Sequence, residues 1–193
     1  MNATATPSDD RLGTVLLAHA RAAIDERLTG RRPPLPDHPQ LAQPGATFVT
    51  LTIDKQLRGC IGSLEAHRPL GEDVRANAVA AAFADPRFPP LTKTEWPAVT
   101  IEVSLLSPPE PIAFGDEAEL LAQLCPFEDG LILSAGPYRA TFLPQVWAQL
   151  PNPRDFLAAL KAKAGLPANQ AIPGLKAARY RVTAWHEPAP AHA

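Results

Sequence analysis

"FVTLTIDKQLRGCIGSL", residues 48–64, decides the fold. Apolar and polar residues alternate on both sides of Asp54-Lys55-Gln56, the pattern of two half-buried strands joined by a tight turn. The stretch predicts a β-hairpin. Val49, Leu51 and Ile53 share one face of its first strand, and Leu57 and Ile61 share one face of its second. Because successive side chains point to opposite faces, unbroken alternation puts Arg58 and Cys60 together on the face opposite Leu57 and Ile61.

Outward from the hairpin the periodicity changes. Residues 10–28 carry Leu12, Leu16, Ala20, Ala23 and Ile24 at helical spacing and end in Thr29-Gly30. The link 31–45 holds prolines at 33, 34, 36, 39 and 44, which predicts an extended crossing. Pro69 opens an alanine-rich helix that should stop at Asp85-Pro86, because the residue before proline avoids helical geometry. Residues 98–106 alternate again, with Thr100, Glu102 and Ser104 on the polar side. Asp116 caps a short helix to about Leu124, Gly136-Pro137 turns a second hairpin in LILSAGPYRATFL (131–143), and Asn152 and Gly165 bound a helix through RDFLAALKAKA (154–164). One closing strand is expected in RYRVTAWH (179–186). Hairpins with interspersed helices and no βαβ repeat predict an α+β fold on largely antiparallel sheet, with two lobes allowed by the length. The expected division is a flexible tail at 1–9, a domain at 10–187 and a Pro/Ala-rich tail at 188–193.

Composition narrows the function. A net charge of -2, with basic residues scattered rather than gathered into a stripe, disfavours nucleic acid as a partner. No stretch reaches the roughly 18 apolar residues that a membrane-crossing helix needs. The start, MNATATPSDD, lacks the basic and then apolar character of a secretory signal, and two isolated cysteines make no disulfide framework. A cytoplasmic, reducing address is the expectation. No phosphate-loop, dinucleotide, zinc-protease or nucleophile-elbow motif is present, and the five histidines are scattered, so neither a metal nor a cofactor is expected.

Cys60 is the residue best suited to chemistry. A guanidinium nearby favours the thiolate, and Gly59 and Gly62 leave room for a ligand or for another backbone. The plainer reading makes Cys60 a small packing residue. His67 is a second basic group within reach in sequence, although "EAHRPL" (65–70) reads as exposed chain. Glu102 becomes a site carboxylate if its face meets Cys60, and otherwise looks at water. "DPRFPP" (85–90) offers Asp85, Arg87 and Phe88 between rigid prolines, either as a binding loop or as a helix stop with Phe88 as a plug. Lys161 and Lys163 are two apart on a helix and point in different directions, both toward solvent in the simplest reading.

Five blocks in order, "FVTL…LRGCIGSLEAHRPL", "AAFADPRFPPL", "VTIEVSLLSPPEPI", "GLILSAGPYRATFLPQVW" and "DFLAALKAKAGL", resemble the AMMECR family, named for the Alport syndrome, midface hypoplasia and elliptocytosis region. The resemblance runs from about residue 10 to 187. It implies an α+β domain with LRGCIG as its hallmark and, through the AmmeMemoRadiSam system, a Memo-like protein and a radical SAM protein as partners. By motif position it also implies site roles for Arg58, Gly59, Cys60, Gly62, Asp85, Arg87, Phe88, Glu102, Arg139, Gln145, Lys161 and Lys163. The expected activity is that of an enzyme or enzyme component with a thiol site acting on a small molecule. The alternative is a non-catalytic module that binds those partners or their substrate.

Overall fold

The computed structural model describes residues 7–188. In chain order its elements are α1 (Pro7–Thr29), β1 (Pro44–Ile53), β2 (Gln56–Gly62), β3 (Arg68–Pro69), α2 (Leu70–Phe83), β4 (Thr100–Leu106), β5 (Glu110–Ile112), α3 (Glu117–Gln123), β6 (Gly130–Ala135), β7 (Tyr138–Phe142), α4 (Pro153–Lys163), β8 (Lys176–Tyr180) and β9 (Val182–His186). They form an α+β fold of two antiparallel sheets, divided between two compact units. The first unit runs to Leu106 and resumes at Thr183; the second is Ser107–Val182. Residues 1–6 and 189–193, which cover most of the two expected tails, lie outside the described residues.

In the first unit the strand order is β2-β1-β4-β9, with β3 against the start of β1. Asp54 and Lys55 turn the hairpin with φ of 50° and 65°, the left-handed pair that matches strand twist. Val49, Leu51, Ile101 and Val103 are fully buried and pack with Leu16 and Ile24 of α1 and Val74 and Ala78 of α2. The apolar side of the alternating pattern is therefore the side the helices cover. Thr50, Cys60 and Glu102 stand outside that core, each only partly buried.

One register detail corrects the sequence reading. Leu51 pairs with Gly59, but Thr52 pairs with Leu57, so Arg58 is the unpaired residue of a β-bulge. The extra residue turns Leu57 over. It lies on the Thr52 side, 44% exposed, and does not share a face with Ile61. Arg58 itself has no partner across the ladder, and its side chain is committed to Glu95.

The second unit orders its strands β5-β8-β6-β7. Trp147 and Phe156 stack face to face with ring centroids 3.7 Å apart, and both are fully buried. The expected closing strand is two strands. The chain breaks at Arg181, so that β8 completes the second sheet and β9 the first. The proline-rich link also holds a short 3-10 turn at Pro39–Ala42, and β1 begins at Pro44, four residues before the alternation becomes visible.

Candidate functional site

The register across three strands builds the site. Thr50 of β1 pairs with Cys60 of β2 on one side and with Glu102 of β4 on the other. Paired residues on adjacent antiparallel strands point to the same face. A thiol, a hydroxyl and a carboxylate therefore stand in one row, with the two ends about 10 Å apart at the backbone. The Thr50 Oγ1–H donates to Cys60 Sγ at 3.3 Å. Glu102 has no hydrogen-bond or ion-pair partner among the described residues. Its neighbours along the same face of β4 are the uncharged Thr100 and Ser104.

β2 is an edge strand, and its outer backbone at Cys60 is covered by side chains. The Cys60 N–H donates to Asp85 Oδ2 at 2.9 Å, and Arg87 Nη2–H donates to the Cys60 carbonyl at 3.1 Å. Asp85 and Arg87 together offer what a neighbouring strand would offer, an acceptor and a donor, and so close the edge. They also bind each other, at 2.7 Å and 3.0 Å. The Arg87 hydrogen bond, helped by the Cys60 N–H, holds the Asp85 carboxyl well below the usual carboxylate range although its side chain is almost fully buried. The same hydrogen bond to Asp85 leads in raising Arg87 above its ordinary value, and Cys60 adds to it. The guanidinium beside the thiol is thus that of Arg87.

Arg58 goes elsewhere. Its Nε and Nη2 meet the Glu95 carboxylate at 2.9 Å and 3.2 Å, and its guanidinium carbon lies 5.9 Å from the Phe88 ring centre. Glu95 also accepts from the Thr92 N–H and hydroxyl. Arg58 first and Thr92 second lower the Glu95 carboxyl to about 2. The bidentate pair fastens the loop after α2 to the bulge.

The two glycines of the hallmark are filled from within. A Cβ on Gly59 would stand 2.2 Å from the Ala81 carbonyl oxygen of α2, and one on Gly62 would stand 2.2 Å from the Phe48 ring. His67 is largely exposed, with Nε2 3.4 Å from Glu65. Arg139, Gln145, Lys161 and Lys163 belong to the second unit. Lys161 corrects the expectation of a solvated pair: it is fully buried, and its ammonium donates to Glu117 Oε1 at 2.6 Å and to the Gln170 carbonyl. Lys163 donates to the Thr141 carbonyl, while Arg139 and Gln145 are exposed.

A second cluster escaped the sequence reading. The buried Asp73 of α2 accepts from the Thr47 N–H and hydroxyl, Ser63, Arg68 and Asn77, at 2.7–2.9 Å. This satisfied network anchors both ends of the hairpin to the helix. Its only sequence signal is two polar residues, Asp73 and Asn77, four apart in an alanine-rich helix. A groove of about 990 Å³ lies between α1 and α2, floored by Ala76, Val79 and Phe83. It carries no nucleophile, and its Arg75 and Arg32 are paired with Glu26. No group of three His, Cys, Asp or Glu able to hold a metal occurs among the described residues, and no helix there is long and apolar enough to cross a membrane.

The family model described as AMMECR1 matches residues 17–185, nearly the whole fold. The chain belongs to the AMMECR1 family. Protein MJ0810 of Methanocaldococcus jannaschii is 38% identical over 183 residues, covering 92% of this chain and 91% of its own. A protein of Thermofilum pendens is 38% identical over 172 residues, covering 80% and 79%. Among solved structures, Uncharacterized Protein PH0010 from Pyrococcus horikoshii is 35% identical and covers 93% of each chain with a TM-score of 0.78. The AMMECR1 match spans both units and includes Thr50, Arg58, Cys60, Asp85, Arg87 and Glu102.

Proposed function

We propose that this AMMECR1-family protein is an enzyme or enzyme component whose reactive group is the Cys60 thiol, working in the cytoplasm with Memo-like and radical SAM partners. The observation that supports it best is the row Cys60–Thr50–Glu102 on the sheet face away from the apolar core. A cysteine kept only for packing belongs among Val49, Leu51 and Ile101, not opposite them. The Thr50 hydroxyl donates to the sulfur and so orients it within this row. In the reaction Sγ attacks an electrophilic carbon, the bond from that carbon to its leaving group breaks with the electron pair going to the leaving group, and the thiol proton goes to solvent. Water or a second substrate then displaces sulfur and restores the thiol. The partners come from the family resemblance alone.

Alkylation of Cys60 by iodoacetamide in a Cys125→Ser background tests this reading. The folded protein is expected to be alkylated at Cys60 without denaturant, at a rate comparable to that of a free cysteine peptide, and Thr50→Val, which removes the hydroxyl that orients the sulfur, is expected to change that rate. Protection of Cys60 across the whole pH range overturns the reading. The exposed Leu57 and Leu64, one inside and one just past the hallmark, favour a second reading in which this edge docks a partner without chemistry. On that view Cys60→Ser leaves binding intact while Leu57→Asp weakens it.

A further inference from the structure

The positive charge near Cys60 is neutralised within the protein. Arg87 is held by Asp85, and Arg58 by Glu95, each through two or more charge-assisted hydrogen bonds. Glu102 is the opposite case, a half-buried carboxylate in mid-sheet with no side-chain partner among the described residues, flanked on β4 and β1 by the hydroxyls of Thr100, Ser104 and Thr50, while β9 on its other side ends in the exposed His186. The charge that this face presents to an approaching molecule is negative. An anion placed over the row meets an uncompensated carboxylate, and the guanidinium beside the thiol, that of Arg87, is already held by Asp85. A cation two strands from the sulfur meets Glu102.

We propose that the Cys60 face selects an electrophile carrying a positively charged, N–H-rich group, an amine or a guanidine a few bonds from the reacting atom, and that Glu102 is the residue that binds that group. The proposal deepens the thiol reading and rests on it. Side chains in one row across two strand spacings set the reach: the ligand's cation and its reacting atom must span the interval that Thr50 occupies. Two charges at that separation near a protein surface interact enough to change an encounter rate roughly three- to tenfold.

Three methanethiosulfonate reagents test it in the Cys125→Ser protein: the 2-aminoethyl reagent, which carries an ammonium, the 2-sulfonatoethyl reagent and the small neutral methyl reagent. In each, the Cys60 thiolate attacks the sulfenyl sulfur, a new S–S bond forms, and methanesulfinate leaves with the electron pair. The ratio of cationic to anionic rate constants, divided by the same ratio for free 2-mercaptoethanol, is expected at three or more in wild type. It should fall to about one in Glu102→Gln. A second measurement does not depend on that variant folding: raising salt from 0.01 to 0.5 M should erase the preference and leave the neutral reagent's rate unchanged. An anionic preference, a ratio equal to that of the free thiol, or a ratio unchanged in folded Glu102→Gln overturns the charge selection alone. Failure of the neutral reagent to modify native Cys60 overturns the thiol reading beneath it.

Discussion

Gly59→Ala isolates the packing between β2 and α2. The added Cβ would lie 2.2 Å from the Ala81 carbonyl oxygen, against ordinary contacts of 3.4–4 Å. The helix or the strand must retreat by roughly an ångström in a close-packed interior. Neither moves freely, because Val74 and Ala78 of α2 are fully buried and Asp85, at the helix end, is tied to Cys60. Overpacking of this kind costs about 3 kcal/mol. Stiffening of the unfolded chain by replacing glycine returns about 0.5–1 kcal/mol. The net loss of about 2–2.5 kcal/mol should lower Tm by roughly 4–10 °C for a chain of this length. Differential scanning calorimetry with a urea titration reads it. Gly62→Ala is the control: its Cβ meets the Phe48 ring, a side chain that can rotate, so its loss should be smaller. A Gly59→Ala protein melting within a degree of wild type refutes the packing argument and returns Gly59 to a role in admitting ligand.

Two further outcomes are expected. Glu95 titrates lower in the folded chain than its ordinary 4.5, so the Arg58–Glu95 pair stabilises above that pH and its contribution is lost as pH falls toward 2. Urea midpoints measured from pH 5 to 2.5 should fall less steeply in Glu95→Gln, and its deficit at pH 7 should be only about 1 kcal/mol because the Glu95 side chain is 34% exposed. Native acetylation with an N-hydroxysuccinimide ester should label Lys163 and spare the buried Lys161 until urea opens the second unit, with Lys161→Met destabilising it by about 2 kcal/mol; equal labelling of both lysines by mass spectrometry contradicts the burial.

Alternation carried most of the first sheet, since Val49, Leu51, Ile101 and Val103 are apolar at every second position. The same rule misplaced Leu57 and hid the bulge at Arg58, because a bulge adds one residue without altering residue types, and only the pairing partner reveals it. β3 and β5 span two and three residues, too short for any period to register. The break at Arg181 was hidden because both flanking segments read as strand, and membership of different sheets is a property of the whole chain. Glu102 was legible as a polar residue in mid-strand, whereas Thr50 was not, since threonine is common in strands for reasons of shape. The edge cap by Asp85 and Arg87 required knowing that β2 lacks an outer neighbour. Lys161 could have been anticipated: it follows the buried Leu157 by four residues and so shares its helix face.

The return of the chain to its first sheet bears on the order in which the protein can be made. β4 is finished at Leu106, but its neighbour β9 begins at Val182, after the whole second unit has been synthesised. Until then the N–H and carbonyl of Ile101, which finally pair with Glu187, have no strand or tail beside them. A nascent chain halted within the second unit presents β4 as a raw edge, open to whatever extended segment it meets. The second unit is contiguous and can close on the ribosome; the first must wait for β9 to emerge. A premature stop at Val182, which removes β9 and leaves β8 whole, is thus a defect in the earliest strands of the protein.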